Sequence, residues 1–271
     1  MELKKILPKQ LGEYIKYFYI LRARADEMPG QDHRNLPDGN MELIINLGMP
    51  IIQTTSRGWE VRPNIFLVGL FDKHFFVQYK GDIFLLGVFF KPGCASLFIK
   101  DNLTHYKDCF TSADQVFGSS VSFLYEQLQS TDTDFEKINI LEAYLIKLLK
   151  NNIDKYRINQ MLQAVKLIHT NNGNIQIHEV YKNVLMSERN FRRQFSELVG
   201  LSPKQYAGIV RIKSFIKLYK SGKNSSLDIV YDLGYYDQSH LTNDFHQIAG
   251  VSPSLFFSQL NPIDKQFIKS V

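Results

Sequence analysis

The stretch F-R-R-Q-F-S-E-L-V-G-L-S-P, from Phe191 to Pro203, returns 50 residues later as L-T-N-D-F-H-Q-I-A-G-V-S-P, from Leu241 to Pro253. Between 175–206 and 225–256 the identical pairs are Val180/Val230, Tyr181/Tyr231, Phe195/Phe245, Gly200/Gly250, Ser202/Ser252 and Pro203/Pro253. The last four spell one signature, F-x4-G-x-S-P, and each part has a mechanical meaning. Gly200 and Gly250 can take the positive φ that stops a helix. Ser202 and Ser252 are N-caps for orphan backbone N–H groups. Pro203 and Pro253 fall at the first helical position, where a missing N–H costs nothing. Phe191, Phe195 and Leu198, and in the copy Leu241, Phe245 and Ile248, lie on one helical face and are expected in a core.

Working outward, each copy opens with a short helix (about 177–184 and 227–233) and a tight turn. The signature helix follows, over 188–199 and 238–249, with Ser187 and Asp237 at its N-cap position. Short helix, turn and amphipathic helix make a helix-turn-helix unit. Between the two units, Pro203–Ser221 keeps helical spacing through Tyr206, Ile209, Ile212, Ile216 and Tyr219 and stops at Gly222. Such a helix is a rod of ~28 Å. It would set the two signature helices ~34 Å apart, one turn of B-DNA, so that one chain enters two successive major grooves.

Charge supports a polyanionic partner. Residues 1–153 carry 17 Lys+Arg against 18 Asp+Glu, whereas 154–271 carry 15 against 9. Over 182–223 ten basic residues face only Glu188 and Glu197. A basic surplus confined to one segment is the footprint of a nucleic-acid binder, with a merely solvated helix face as the bland alternative.

The first ~110 residues read as strands, by apolar runs between turn formers. Candidates are Ile15–Arg22, Met41–Leu47, Asn64–Leu70, His74–Lys80 and Ile83–Lys91, separated by Pro37-Asp38-Gly39-Asn40, Arg57-Gly58 and Lys80-Gly81-Asp82. Helical periodicity takes over at Phe135, Ile138, Leu141, Leu145 and Leu148. That stripe leaves two readings open: pairing with a second copy of the chain, or packing on its own domain. A further stripe, Ile158, Leu162, Val165 and Ile168, ends at Asn171-Asn172-Gly173. The fold class is therefore α+β. A β-rich, sandwich- or barrel-like domain with flanking helices (1–152) precedes an all-α domain of two helix-turn-helix units joined by a long linker helix (153–260), then a tail (261–271).

Composition narrows the function. The longest apolar run, Ile83 to Phe90, is far short of the ~18–20 residues of a membrane helix, and the N-terminus lacks a signal-peptide pattern. Two cysteines, Cys94 and Cys109, are too few for a disulfide framework, which points to the cytoplasm. His33, His74 and His105 lack ligand-pair spacing with either cysteine, so no metal and no cofactor is expected. No phosphate loop, nucleophile elbow or H-E-x-x-H is present, so no catalytic residue is assigned. The aromatic residues Tyr17, Phe18, Tyr19, Trp59, Phe66, Phe71, Phe75, Phe76 and Tyr79 read as core or as the walls of a ligand pocket.

Two patterns, R-x2-F-S-E-x2-G-x-S-P from Arg192 to Pro203 and L-G-Y-x-D-Q-S-H-x3-D-F-x4-G-x-S-P from Leu233 to Pro253, resemble the C-terminal DNA-binding domain of AraC/XylS-type bacterial transcriptional regulators. The resemblance spans about 155–257 and implies seven helices. More loosely, Pro37–Gly48 (P-D-G-N-x-E-L-I-I-N-L-G) and Gly87–Gly93 (G-V-F-F-K-P-G) are similar to the regulatory domains that precede it. Such domains dimerise or sense a small molecule. The resemblance thus implies double-stranded operator DNA as partner, with a small-molecule effector in 1–152, a homodimer and a contact with RNA polymerase as further expectations.

On the first recognition helix, Arg189, Arg192 and Arg193 lie opposite the apolar face and suit guanine O6 and N7, at ~1–3 kcal/mol of discrimination each. On the second, Ser239, His240, Thr242 and Asn243 are the base-reading candidates, Asn243 for adenine. Ser187, Gln238, Lys204, Arg211 and Lys213 are the phosphate candidates, with solvated side chains as the alternative for the last three. The second unit departs from the family in having no Lys or Arg from Asn224 to Ile263, against Asp228, Asp232, Asp237 and Asp244. The first unit is accordingly expected to supply most electrostatic affinity and the second mainly register or selectivity. Two rivals remain: a DNA-associated enzyme of alkyl-transferase type, which would need a reactive Cys94 or Cys109, and a protein-binding helical adaptor, whose DNA binding would be weak and insensitive to salt.

Overall fold

The computed structural model describes residues 1–27, 32–55, 58–149, 155–221 and 226–260. Its organising strand is Ile15–Ala23. Successive side chains of a strand point to opposite faces, and here both faces are covered, so an unbroken apolar run is required. Phe18 and Ile20 join Leu43, Ile45, Leu86 and Val88 on one side. Tyr17, Tyr19 and Leu21 join Phe66, Leu85 and Phe89 on the other.

Ten strands occur among the described residues: β1 (Glu2–Ile6), β2 (Ile15–Ala23), β3 (His33–Asn35), β4 (Glu42–Asn46), β5 (Ile51–Thr55), β6 (Gly58–Val61), β7 (Ile65–Val68), β8 (Phe75–Tyr79), β9 (Ile83–Phe90) and β10 (Phe110–Ser112). They form two antiparallel sheets, ordered β1-β2-β9-β4-β7-β10 and β3-β8-β5-β6. All five strands expected from the sequence are present. Of the turns between them, Arg57 lies outside the described residues.

Three helices follow: α1 (Ala113–Phe117), α2 (Ser120–Ser130) and α3 (Asp134–Leu148). Thr133 opens α3, accepting from Glu136 N at 3.2 Å and donating to its carboxylate at 2.8 Å. Ile138, Leu141 and Leu145 are buried in the chain's own core, so the stripe packs within the molecule. Phe135 departs from the expected stripe. It is 64% exposed, with the Lys9 ammonium 4.1 Å above its ring.

The C-terminal part has the seven helices that the resemblance implied: α4 (Lys155–Thr170), α5 (Ile177–Asn183), α6 (Glu188–Val199), α7 (Pro203–Ser221), α8 (Ser226–Asp232), α9 (Gln238–Ala249) and α10 (Pro253–Ser258). The signature helices have the limits read from the sequence. Gly200 and Gly250 close them at φ 85° and 73°. Ser202 Oγ accepts from Gln205 N at 3.3 Å and Ser252 Oγ from Leu255 N at 3.4 Å. Asp237 caps α9 through His240 N at 2.7 Å, whereas Ser187 holds the N-cap position of α6 without a side-chain hydrogen bond. The domain limit read at 152, the stop at Gly222 and the tail 261–271 lie outside the described residues.

The two helix-turn-helix units are buried differently. The first packs Phe191, Phe195, Val199 and Tyr206 into the same continuous core as the large sheet and α3. The second has its own core, around Phe215, Ile229, Leu233, Leu241, Phe245 and Phe256.

Candidate nucleic-acid interface and the chamber beside it

Helix α6 is amphipathic in the strict sense. Phe191, Phe195 and Val199 are buried, and the opposite face carries Arg189, Arg192 and Arg193, all exposed. Arg192 donates to Glu188 Oε1 at 2.8 Å. Arg193 donates to Glu197 Oε1 at 2.9 Å and Asn190 Oδ1 at 3.0 Å. Exposed i,i+4 pairs contribute about 0.3–0.5 kcal/mol, so they orient the guanidinium groups without tying them down. Glu197 is anchored from behind by Arg157 of α4, which also donates to Gln194 at 3.0 Å. The sequence reading missed this support because the α4–α6 contact is tertiary.

Helix α9 exposes Gln238, Ser239, His240 and Asn243 and leaves Thr242 half-buried. The His240 ring stands edge-on to Tyr235 at 5.1 Å, which fixes its direction. The Asp237 carboxylate that caps α9 offsets the roughly half positive charge of the helix N-terminus, so this face is polar rather than cationic. Tyr236, 85% exposed in the turn before α9, was not among the sequence candidates.

The phosphate candidates divide. Ser187, Gln238 and Lys204 are exposed. Arg211 instead donates to the Gly173 carbonyl at 3.1 Å and lies 5.2 Å from the Tyr235 ring centre. Lys213 donates to the Asp38 carbonyl at 3.1 Å, toward the β domain. Neither spacing nor composition announces these inward turns.

The β domain holds the C-terminal ends of both recognition helices and leaves their N-terminal halves open. At α6, Gly200 lies against Leu70 and Leu103. At α9, His74 N donates to Ile248 O at 2.8 Å, Arg34 donates to Ala249 O at 3.2 Å, and Gly250 touches the His74 ring. The two prongs are therefore directed outward, each seated at its base on one shared body.

Between the two sheets lies a cavity of about 200 Å³. Tyr17, Tyr19, Phe66, Phe75, Tyr79 and Phe89 are among its walls, and Lys213 and Ile216 of α7 and Phe256 of α10 border it from the DNA-binding side. Of the other aromatic candidates, Phe71 lines it too, Phe18 faces the main core, Trp59 is 42% exposed, and Phe76 lies under the Arg34 guanidinium at 5.3 Å.

Among the described residues two acids line this chamber, Asp38 and Glu42. Tyr19 donates its hydroxyl to Glu42 Oε2 at 3.0 Å. That contact depends on Gly87, because a Cβ there would collide with the Tyr19 ring lying across it. Burial, then the nearby Asp38 charge, push the Glu42 carboxyl up to about 8, against the pull of Tyr19, Lys213 and Lys5. Lys16 is lowered by burial and then by Lys213, with Asp38 opposing.

Cys94 is fully buried, and burial pushes its thiol up to about 12, the opposite of a reactive cysteine. Among the described residues no group of three or more His, Cys, Asp or Glu is placed to hold a metal ion. Among the same residues no helix is long and apolar enough to cross a membrane.

Comparison with known proteins agrees with this division. Residues 181–259 match the family model described as a helix-turn-helix domain, and residues 4–112 match a domain of unknown function (DUF6597). An uncharacterized HTH-type transcriptional regulator of Haemophilus influenzae is 28% identical over 118 residues, which are 44% of this chain and 38% of that protein. The HTH-type regulator YidL of Escherichia coli is 27% identical over 133 residues, 46% of this chain and 45% of YidL. The matches thus span less than half of these relatives' length. The crystal structure of ToxT from Vibrio cholerae shares the fold, with a TM-score of 0.50 at 14% identity, covering 90% of this chain and 98% of that one.

Proposed function

From a C-terminal domain of the AraC/XylS double helix-turn-helix type, we propose that this chain is a sequence-specific DNA-binding transcriptional regulator whose β-rich domain senses a small molecule. The observation that carries the reading is the placement of two exposed recognition faces on one body, each held at its C-terminal end by the domain that contains the chamber. Arg189, Arg192 and Arg193 read guanines. Ser239, His240, Thr242 and Asn243 read the second groove. Ser187, Gln238 and Lys204 position the backbone by phosphate contacts, which carry no sequence information themselves. Arg211 serves as an internal brace, and Lys213 belongs to the chamber.

An effector in the chamber would touch Lys213 and Ile216 of the linker helix directly. Its binding then shifts the seating of α7, and with it the angle between the prongs, to the extent that it binds one arrangement better than the other. A cytoplasmic location, a homodimer and a contact with RNA polymerase belong to the same reading.

Selection of bound duplexes from a random library, repeated over a range of salt concentrations, tests it. The expected result is a bipartite site with affinity falling steeply as salt rises. Recovery of no common sequence, or weak binding independent of salt, would favour the protein-binding adaptor.

A further inference from the structure

We propose that the chamber binds a single-ring aromatic compound bearing a hydroxyl group, the ring held among Tyr17, Phe66 and Phe89 and the hydroxyl on Glu42. This deepens the effector reading above and rests on it. Size sets the first limit. A dry apolar cavity of about 150 Å³ takes up benzene, so 200 Å³ leaves room for one ring and a small substituent and excludes a long acyl chain.

The walls set the second limit. They are mainly aromatic and aliphatic, so a flat apolar ring gains more by burying its faces there than a well-hydrated polyol does. Glu42 sets the third. Its Oε2 is taken by Tyr19, and among the described residues no hydrogen bond engages Oε1. The charged groups acting on it are Asp38, Lys213 and Lys5, and Lys16 and Arg62 also line the chamber. An ammonium ligand would add a cation beside these lysines, and a carboxylate would have to bury its charge close to that of Asp38. A hydroxyl both donates and accepts without charge, which suits a carboxyl that its surroundings hold largely neutral at pH 7.

Calorimetry on the full chain with p-cresol, toluene, benzylamine, benzoate and decanoate tests the assignment. The expected result is p-cresol binding about tenfold more tightly than toluene, the size of one buried hydrogen bond. Glu42→Leu should remove that preference, and Glu42→Gln, which keeps a donor and an acceptor, should retain most of it. Absence of p-cresol binding, tighter binding of benzylamine, benzoate or decanoate, or a preference that survives Glu42→Leu would overturn the inference. Selected DNA is titrated on the same preparations. Failure of p-cresol with DNA binding intact removes the ligand assignment alone, whereas failure of DNA binding removes the regulator reading.

Discussion

The two helix-turn-helix units descend from one pattern yet differ in how they are held and charged. The first shares the main core of the chain and presents three arginines. The second closes around a core of its own and presents neutral polar side chains on α9. Burial and charge thus divide the labour. On the proposed reading, the basic prong mounted on the main core supplies affinity, and the separately cored neutral prong supplies discrimination.

The largest effects should come from the cores. Phe195 and Phe245 are both fully buried, and truncation of either to Ala should cost about 3–5 kcal/mol. Hydrogen exchange should nevertheless separate them. Phe195→Ala is expected to weaken protection across the sheet and α3, and Phe245→Ala only within the C-terminal half of α7 and α8–α10. Equal spreading of both effects would erase the distinction.

Next comes DNA affinity. Replacing Arg189, Arg192 and Arg193 together by Ala should lower affinity for the selected site by at least about 100-fold and flatten its salt dependence by up to roughly three phosphate equivalents. Asn243→Ala should cost about tenfold, with the salt slope unchanged. Unchanged affinity for Arg193→Ala beside a collapse for Asn243→Ala would reverse the ranking.

A pH-dependent effect concerns the chamber. The Glu42 carboxyl is raised in the folded chain, so the folded state binds more protons than the unfolded state between about pH 4.5 and 8, and stability falls as pH rises through that window. Glu42→Gln should therefore stabilise the protein by on the order of 4 kcal/mol at pH 8 and little at pH 4, as read by denaturation at both. The smallest effect is at the seat of the second prong. Arg34→Ala removes the bond to Ala249 O and should cost about 1 kcal/mol, seen as faster exchange at the C-terminal end of α9 with no change at α6.

What could be read from the sequence followed from local rules. Period-3.6 stripes, Gly200 and Gly250 at helix ends, and Ser-Pro starts placed α6, α7 and α9 within the chain because each feature acts within a few residues. Long strands buried on both faces, such as Ile83–Phe90, were equally legible. The strands β1, β3, β5, β6 and β10 were not, since polar residues interrupt the apolar run that marks β4, β7 and β8 at similar length. Helix α1 escaped because it is little more than one turn long, and α2 because the exposed Phe123 blurs its buried stripe of Val121, Leu124 and Leu128. Phe135 misled because its spacing fits the stripe while Lys9 offers it a surface partner. The exposed recognition residues were visible as an amphipathic face, but the inward turns of Arg211 and Lys213 depend on Gly173 and Asp38, which only the fold brings near. Glu42 looked like an ordinary polar position in a strand until two sheets closed over it.

Hydroxyl-radical footprinting of the full chain on its selected duplex tests the central claim most directly. Two protected patches on one face of the DNA, about 10.5 base pairs apart, with Arg189, Arg192 and Arg193 needed for one and Asn243 for the other, are the expected result. A single patch, or two patches that both survive loss of the α6 arginines, would contradict it.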